Sequence, residues 1–547
     1  MESTSDVIVI GSGPGGLTTA ALLAASGRKV TVLEHHDVAG GNCTVFRRKD
    51  YEFDVGLHYI GGCGPDGHLT RLLRMLGLED RITFRALDPD GFDRILLPGG
   101  EFRVPADWEE YRRRLLERYP DQARAIEGVM STLEEVARSA RGEGDTAPLI
   151  TWALRSVADL FDEYGLTGEA ATLLDHWSGL YGSGPSETSV AMHAAIIGHY
   201  MDGAYYPEGG GQVIPARLVQ MIEALGGEVL VRKRVERILV ENGRAVGVQT
   251  GDGEQYRAPV VVSNADYKRT MLELVGEQHL DADTVRSVRD ARMTLPLYVL
   301  YVVVEGDIGL EASHNYFVFG DEPMEQYYAQ LEAGELPEEM FVYVSSASVK
   351  DPGNPHLAPP GHHNFQIMTL MPTQQELWGI EGDVTHGARY RREPQYRAGK
   401  ERINDHLIDQ AEKVLGPFRD RIVHLEAATP LTHQRYTLST VGTSYGLQHS
   451  PSQIGPLRPD YRSPIDGLYL VGQNTQRGHG VVGTMMGALA AAGAVTGIDY
   501  DAELAAGHVL ANPDLVPADP PGWDPLEVSR GERMRDLRST RSQPRPA

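Results

Sequence analysis

Residues 6–17 have the sequence Asp-Val-Ile-Val-Ile-Gly-Ser-Gly-Pro-Gly-Gly-Leu, and residues 30–34 have the sequence Val-Thr-Val-Leu-Glu. Val7 to Ile10 is a short apolar run of β-branched residues, which predicts a strand buried on both faces. The Ala- and Leu-rich segment from Leu17 to Ser26 predicts a helix, and a second buried strand follows from Lys29 to Leu33. This order of elements predicts a Rossmann-like α/β unit with a parallel sheet.

The turn after the first strand has the glycine spacing Gly11-x-Gly13-x-x-Gly16. Gly11 allows a tight turn, Gly13 lets the backbone approach a pyrophosphate, and Gly16 lets helix and strand pack closely. The helix N-terminus offers unpaired N–H groups to phosphates. A carboxylate at Glu34 can accept hydrogen bonds from a ribose hydroxyl and disfavours a 2′-phosphate there. FAD and NAD both fit this motif, whose predicted ligand-binding residues are Gly11, Gly13, Pro14, Gly15, Gly16 and Glu34.

Composition limits the other functions that the chain could have. With 547 residues the chain is too long for one simple core, which predicts two or more domains. A net charge of −25 argues against nucleic acid as a partner, because that would require a clustered basic surface. Cys43 and Cys63 are the only cysteines, so we expect a reducing compartment and neither a disulfide framework nor a metal site.

The start of the chain carries no targeting signal that we recognise. Met1 leads into the first strand without a basic segment or a cleavage site, so we expect no signal peptide. No apolar run is long enough to span a bilayer. We therefore expect a cytoplasmic protein, with peripheral membrane contact left open.

The middle of the chain contains a helical part and a part rich in strands. Helical spacing dominates from about Pro105 to Met201. The apolar segment from Val190 to Met201 is either a core helix of a second domain, which we favour, or the wall of a lipid-substrate tunnel or a membrane-surface patch. From Leu295 onward, Val-, Tyr- and Phe-rich segments predict an antiparallel sheet with strands at Leu295 to Val304, Asn315 to Phe319, Met340 to Ser346 and Asn364 to Met371.

Strand signals also occur between these two parts and near the end of the chain. Asn242-Gly243 predicts a hairpin between the alternating segments Glu228 to Val240 and Ala245 to Thr250. Leu468 to Val471 predicts a last buried strand, and Gly472 lets its end approach a ligand closely. The segment Gly478-His-Gly-Val-Val-Gly483 then opens an Ala-rich helix. The N-terminus of that helix could stabilise a negative charge.

Several segments together resemble one family of flavin enzymes. The resemblance rests on three segments: the paired glycines of Gly40-Gly41-Asn42, the segment Phe53-Asp-Val-Gly-Leu-His-Tyr-Ile60 and the loop Leu357-Ala-Pro-Pro-Gly361. With the two glycine turns they extend it from about Asp6 to Gly497. The chain thus resembles the phytoene desaturase, carotenoid isomerase and retinol saturase group within the amine oxidase superfamily. Asn42 stands where an Arg is common in the superfamily, so the bond from that Arg to the phosphate is either absent here or made by another group.

The resemblance implies non-covalent FAD as the cofactor and leaves NAD open as an external electron carrier. Gln473 or Asn474 could hydrogen-bond the ribityl chain, and the strand around Val235 is expected to contact the adenine. The cofactor-binding residues that the resemblance adds are Gly41, Asn42, Val235, Gly472, Gln473 and Val482.

We also expect a discontinuous FAD-binding domain and a second, α+β substrate domain with an antiparallel sheet and a helical part. The first is predicted from residues 6–104, 205–290 and 422–500, and the second from residues 105–204 and 291–421. The Pro- and Arg-rich remainder, residues 501–547, is expected to be disordered. Its arginines, which could contact an anionic membrane or a partner, are Arg530, Arg533, Arg535, Arg538, Arg541 and Arg545.

The reaction that the resemblance implies is desaturation, saturation or isomerisation of a carbon–carbon bond in a long apolar polyene or isoprenoid, such as a carotenoid or retinoid. The substrate would occupy an apolar tunnel. His58 and Tyr59 are the first candidates for the proton partner, because their segment is expected beside the flavin ring. His479 is the second candidate, and Tyr206 and Glu208 are the third.

Two alternatives remain open from the sequence. A flavin amine oxidase would turn over amines on the same scaffold. A non-enzymatic carrier of prenylated proteins would be expected to have a degraded phosphate loop, whereas Gly11, Gly13, Gly16 and Glu34 are all intact.

Overall fold

The computed structural model describes residues 5–310 and 314–542. The strands are, in chain order, β1 (Val7–Ile10), β2 (Val30–Leu33), β3 (Val45–Arg48), β4 (Tyr51–Asp54), β5 (Phe84–Ala86), β6 (Asp93–Leu97), β7 (Gly100–Val104), β8 (Tyr205–Pro207), β9 (Glu228–Leu230), β10 (Val235–Glu241), β11 (Arg244–Thr250), β12 (Gln255–Arg257), β13 (Val260–Ser263), β14 (Leu297–Glu305), β15 (Asn315–Val318), β16 (Val342–Ser345), β17 (His362–Leu370), β18 (Ile422–Ala428) and β19 (Leu468–Leu470).

The α-helices are α1 (Pro14–Ala25), α2 (His68–Met75), α3 (Trp108–Arg118), α4 (Ala123–Ala140), α5 (Ala147–Trp152), α6 (Val157–Tyr164), α7 (Gly168–Leu174), α8 (Val190–Met201), α9 (Val213–Ala224), α10 (Ala282–Asp290), α11 (Met324–Glu332), α12 (Ala347–Lys350), α13 (Pro394–Leu415), α14 (Pro430–Thr437), α15 (Val481–Thr496), α16 (Tyr500–Ala505), α17 (Pro525–Val528) and α18 (Glu532–Ser542). Within the described residues, none of the helices combines the length and apolarity needed to cross a bilayer.

A five-stranded parallel sheet with the strand order β19-β13-β1-β2-β9 forms the core of the first domain. Every residue of β1 and β2 is buried, as expected for parallel strands covered on both faces. Helix α1 packs against α9 and α15, which come from much later in the chain. The predicted Rossmann-like unit is therefore confirmed.

The predicted hairpin is also present. Strands β10 and β11 pair antiparallel, and the turn residues Asn242 and Gly243 have φ angles of 51° and 78°. Two consecutive positive φ values are what a type I′ turn requires, and Asn-Gly is the sequence that adopts them most readily.

A second, mixed sheet of seven strands has the order β18-β14-β17-β16-β15-β6-β7. The four predicted strands appear in it as β14 to β17, and the pairs β14–β17, β16–β17 and β15–β16 are antiparallel as expected. Helix α13 packs on one face of this sheet, where its apolar residues join a separate hydrophobic core. The predicted α+β second domain is confirmed.

Two of the predicted domain boundaries are wrong. Strands β6 and β7, at residues 93–104, belong to the seven-stranded sheet and not to the FAD-binding domain, because β6 pairs in parallel with the distant strand β15. Strand β18, at residues 422–428, is likewise an edge strand of that sheet, paired with β14. β6 and β18 each pair with a strand more than 100 residues away, which local sequence patterns do not reveal, and β7 joins the sheet as the hairpin partner of β6.

The expected disorder of the tail is contradicted for residues 501–537, which pack on the first domain. The Arg217 guanidinium pairs with Asp519 at 2.7 Å and lies 3.9 Å from the ring centroid of Trp523. The Ser529 carbonyl accepts a hydrogen bond from Ala39 N at 2.8 Å. These contacts anchor a Pro-rich segment whose composition alone suggested disorder.

Two arginines of this segment are paired with carboxylates of the first domain. Arg530 donates to Asp37 at 2.8 Å, and Arg535 donates to Glu223 at 2.7 Å. These two are therefore already engaged within the chain and are not a free basic surface. Residues 543–547, with Arg545, lie outside the described residues.

Gly531 offers a test of the docked tail. Its φ is +75°, and an added Cβ would lie 2.2 Å from the carbonyl oxygen of Val229 in β9. Gly522 has a similar φ of +79° with open space around it. We expect Gly522→Ala to lower the free energy of unfolding by about 1 kcal/mol through backbone strain, and Gly531→Ala by about 1–3 kcal/mol more through the clash. Urea unfolding measures both values, and equal losses would contradict the packing of this segment on β9.

Candidate functional site

A cavity of about 490 Å³ lies between the two sheets. Residues at the carboxyl ends of β1, β2, β13 and β19 line one end, and β14 to β17 contribute side chains to the other. In open α/β sheets, ligands bind beside the carboxyl ends of the strands. The cavity is therefore the candidate functional site.

The glycine turns from opposite ends of the chain meet in this cavity. A Cβ added at Gly15 would lie 3.3 Å from Gly472 Cα and 3.1 Å from the carbonyl oxygen of Thr484. The turn before α1 and the turn after β19 are thus in backbone contact, as the sequence suggested.

Each turn presents an uncapped helix N-terminus to the cavity. Helix α1 begins after Gly13 and helix α15 after Gly480, and neither glycine can supply a side-chain cap. Unpaired N–H groups at a helix N-terminus bind anions. The cavity therefore has two anion-binding positions close together, which fits a cofactor that carries both a pyrophosphate and an electron-accepting ring.

Glu34 is buried and hydrogen-bonded. Its carboxylate accepts from Ser12 N and Ser12 Oγ at 3.0 and 2.6 Å, and from His36 N at 2.7 Å. Burial raises its pKa, but the neighbouring His35 and these hydrogen bonds more than offset the burial, so the pKa lies below its ordinary value. Glu34 is thus ionised and able to accept a hydrogen bond from a ribose hydroxyl.

The segment Gly40-Gly41-Asn42 packs against the phosphate loop. A Cβ at Gly41 would lie 3.0 Å from Gly13 Cα, and the φ of Gly41 is +57°. Asn42 donates to the carbonyl oxygen of Ser444 at 3.4 Å, while its buried Oδ1 has no hydrogen-bond partner among the described residues. That oxygen can only accept a hydrogen bond, so it is available to an N–H or O–H group of a bound molecule and does not replace the donation of an Arg to a phosphate.

The residues present therefore fit FAD. Of the predicted cofactor-binding residues, those that line the cavity are Gly11, Gly13, Pro14, Gly15, Glu34, Gly41, Asn42, Val235, Gly472, Gln473 and Val482. Gly16 lies behind them, where an added Cβ would be 2.3 Å from the Gly11 carbonyl oxygen. Its role is packing of helix against strand, as the spacing indicated.

Asn264 is a site residue that sequence reasoning missed. It follows β13 and lines the cavity, where its side chain lies against four glycines. An added Cβ would be 2.8 Å from this side chain at Gly13, 3.1 Å at Gly15, 3.0 Å at Gly16 and 2.6 Å at Gly472. The one feature of the sequence that could have identified Asn264 as a site residue is its position directly after the buried strand Val260–Ser263.

The end of the cavity away from the phosphate loops is apolar. Its lining side chains include Leu57, Ile60, Leu180, Met192, Ile196, Leu297, Val299, Phe317, Phe341, Tyr343 and Met368. One face of α8 contributes Met192, Ala195, Ile196 and His199, while much of the rest of the helix is buried in the core. The core interpretation is therefore confirmed, and the helix is also part of the cavity wall, while contact with a lipid substrate or a membrane surface stays a prediction.

The first two catalytic candidates, His58 and Tyr59, both line the cavity. Burial, assisted by the nearby Lys350, lowers the pKa of His58 to about 3. The Tyr59 hydroxyl donates to Asp93 Oδ2 at 3.1 Å, and burial together with Asp93 raises the pKa of Tyr59 well above its ordinary value. Both side chains are thus neutral across the physiological pH range.

His479 also lines the cavity, with its ring 5.2 Å from Tyr445 and 5.1 Å from His449, measured between centroids. Burial lowers its pKa to about 3. The third candidates are placed differently. Tyr206 donates to Asp54 at 2.5 Å, and Glu208 pairs with Arg85 at 2.8 Å, both away from the cavity wall.

The sequence matches the family described as "Flavin containing amine oxidoreductase" over residues 14–496. All-trans-retinol 13,14-reductase from Danio rerio is 29% identical over 526 residues, which cover 88% of this chain and 84% of that protein. Phytoene desaturase (lycopene-forming) from a Paracoccus species is 25% identical over 507 residues, which cover 89% and 96%. A solved structure of putrescine oxidase aligns with a TM-score of 0.62 at 15% identity, over 90% of this chain and 99% of that chain, and shows the same fold.

Gly13→Val tests the phosphate end of the cavity. The added side chain would meet Asn264 Nδ2, which lies 2.8 Å from the position of the Cβ, and would fill the approach to α1. We expect the purified variant to lose its flavin absorbance. Gly353→Val, at an open position without positive φ, is the matched control and should retain flavin. A fully loaded Gly13→Val protein would contradict the assignment.

Proposed function

Because this chain belongs to the flavin containing amine oxidoreductase family and is an FAD-dependent oxidoreductase, we propose that it acts on carbon–carbon single or double bonds of a long apolar polyene or isoprenoid. Bound FAD supplies hydride transfer to or from a substrate carbon.

The observation that carries the proposal is the polarity of the cavity. Among its described lining residues the acidic side chains are Glu34 and Asp266, and both follow strands of the parallel sheet at the cofactor end. An ammonium substrate would need a carboxylate or a comparable partner in the apolar end, because burying an unpaired charge is costly. An apolar chain needs none. The names of the two curated relatives, a retinol reductase and a phytoene desaturase, support the same substrate class.

The protein's own contribution is a dry, oriented cavity with neutral proton partners. His58 and His479 are neutral imidazoles, each of which has one nitrogen that carries a proton and one that can accept a proton. A neutral imidazole can accept a proton from the substrate during desaturation, whereas delivering a proton to a carbon during saturation requires that the imidazole first be protonated. The aromatic and aliphatic walls exclude water, which protects a reactive substrate from side reactions.

Anaerobic mixing of the purified holoenzyme with a panel of substrates tests the proposal. We expect apolar isoprenoids to bleach the oxidised flavin, or polyenes to restore the colour of the flavin after dithionite reduction. Amines, putrescine among them, should do neither. NADH is included as a second reductant, because NAD as external electron carrier remains a prediction. Bleaching by amines without any response to polyenes would replace the proposal with an amine oxidase.

His58→Ala tests the first proton candidate. We expect turnover of the reacting substrate to fall about 100-fold, since a positioned acid or base contributes a factor of this order. FAD content should stay unchanged, because His58 lies apart from the phosphate loops. His386→Ala, an exposed histidine paired with Asp383, is the control. Unchanged turnover in His58→Ala would remove His58 from the candidates.

A further inference from the structure

Lys350 is a buried lysine, 5% exposed, at the end of α12, just behind the cavity wall. Its ammonium donates to three acceptors: Asn315 Oδ1 at 2.5 Å, Ser345 Oγ at 2.7 Å and the carbonyl oxygen of His58 at 2.9 Å. An ammonium has three N–H groups, so every donor of Lys350 is used. One of them holds the backbone of the catalytic candidate His58.

The hydrogen bonds continue from Lys350 to Tyr59. Asn315 Nδ2 donates to Asp93 Oδ1 at 2.9 Å, and Asp93 Oδ2 accepts from the Tyr59 hydroxyl at 3.1 Å. Asn315 and Asp93 are fully buried. We call Lys350, Asn315 and Asp93 the Lys350 network. This network is a continuous chain of hydrogen bonds from the His58 carbonyl to the Tyr59 hydroxyl.

The network joins parts of the chain that are distant in sequence. His58 and Tyr59 follow β4, Asp93 is on β6, Asn315 is on β15, and Lys350 follows β16. The network thus connects the cavity wall to three consecutive neighbours in the seven-stranded sheet, β16, β15 and β6.

Two carboxylates act on the Lys350 ammonium. Asp93 is linked to it through one side chain, and Asp54 is the second carboxylate that acts on it. The Lys350 ammonium also lies 5.9 Å from each of the ring centroids of Tyr59 and Tyr206. Other titratable groups that face the network are His58, Tyr343, Tyr200, Tyr111 and His176. The Nε2 of His176 is 3.8 Å from Asp93 Oδ2.

We propose that the Lys350 network positions His58 and Tyr59 against the substrate, and that turnover requires Lys350 in its protonated form. The proposal rests on the proposed function of the cavity, since it concerns the same wall. Lys350 itself is a positioning residue, because it is not among the residues that line the cavity.

The protonated form matters because of the donor count. A neutral amine has two N–H groups, so it would lose one of the three hydrogen bonds that the ammonium donates to Asn315, Ser345 and the His58 carbonyl. Burial lowers the pKa of Lys350 from its ordinary 10.5 to about 7, although Asp93 and Asp54 act to raise it. The network therefore changes its hydrogen bonding near neutral pH.

The first measurement is the pH profile of kcat with the reacting substrate, between pH 5.5 and 9. We expect the wild-type kcat to fall as pH rises through about 7. Lys350→Met should lower kcat about 10- to 100-fold, because small misplacements of catalytic groups have effects of this size. KM should change less, the variant should retain FAD, and its kcat should no longer fall near pH 7. Lys400→Met, a half-buried lysine bonded to the Ala427 carbonyl, is the control and should keep both rate and profile.

A charge-only variant covers the case in which Lys350→Met does not fold. Asp93→Asn keeps the shape of the side chain but removes the charge that most strongly favours the ammonium. We expect it to move the fall in kcat to lower pH. A Lys350→Met enzyme with wild-type kcat and profile, or an Asp93→Asn enzyme whose profile does not move, would overturn the proposal.

The second measurement needs no substrate and so separates this proposal from the proposed function. Between about pH 7 and 10.5 the unfolded chain binds more protons at Lys350 than the folded chain does, so the contribution of Lys350 to the free energy of unfolding rises with pH in this window. We expect the stability difference between wild type and Lys350→Met to rise accordingly. Because the Lys350 contribution to stability rises where turnover is expected to fall, a loss of stability through Lys350 does not explain the lower turnover. Parallel stability curves would contradict the buried ammonium, whatever the substrate proves to be.

Discussion

The backbone contact between the two glycine turns is the constraint on which the rest of this structure depends. The turn before α1 and the turn after β19 approach so closely that a single methyl group at Gly15 would be in contact with both Gly472 and Thr484. Side chains there would push α1 away from α15 and from the turn after β19. The same closeness leaves two helix N-termini without side-chain caps. The geometry that closes the first domain thus also creates the demand for an anionic ligand.

The polarity of the cavity follows from the two sheets that enclose it. The parallel sheet ends in turns, which place backbone N–H groups, Glu34 and Asn264 at one end. The seven-stranded sheet presents the side chains of strand faces, which are apolar or aromatic because they also belong to a core. His58 and His479 lie among them and are kept neutral by burial. The architecture therefore separates charge recognition from apolar binding within one cavity.

The parts of the fold that were predictable from the sequence are those in which a local pattern determines the outcome. Val7–Ile10 is a buried strand by its composition, and Asn242-Gly243 specifies its turn through two positive φ angles. The predictions that were wrong concern segments whose position depends on residues far away in the chain. Asp93–Leu97 looks like an edge of the first domain until Asn315–Val318 is paired beside it. The Pro-rich tail looks disordered until Arg217 is found beneath Trp523. At the site, the glycines were predictable because their task is local, whereas Asn264 and Lys350 act through partners that only the folded chain brings close.

The segment that carries His58 and Tyr59 shows why a buried polar network is useful at this place. It leaves the first domain at β4 and lies against the second sheet, so its position depends on how the two domains meet. Apolar contacts, such as the stacking of Tyr59 on Tyr200 at 4.4 Å, favour burial but are tolerant of small rotations and shifts. Hydrogen bonds from Lys350 and to Asp93 have narrow limits of distance and angle. Burying the two charges costs free energy, and that cost is offset only when every donor and acceptor is satisfied. In this network Lys350, Asn315 and Asp93 are all hydrogen-bonded, which gives the segment of His58 and Tyr59 a more defined position than apolar packing alone would provide.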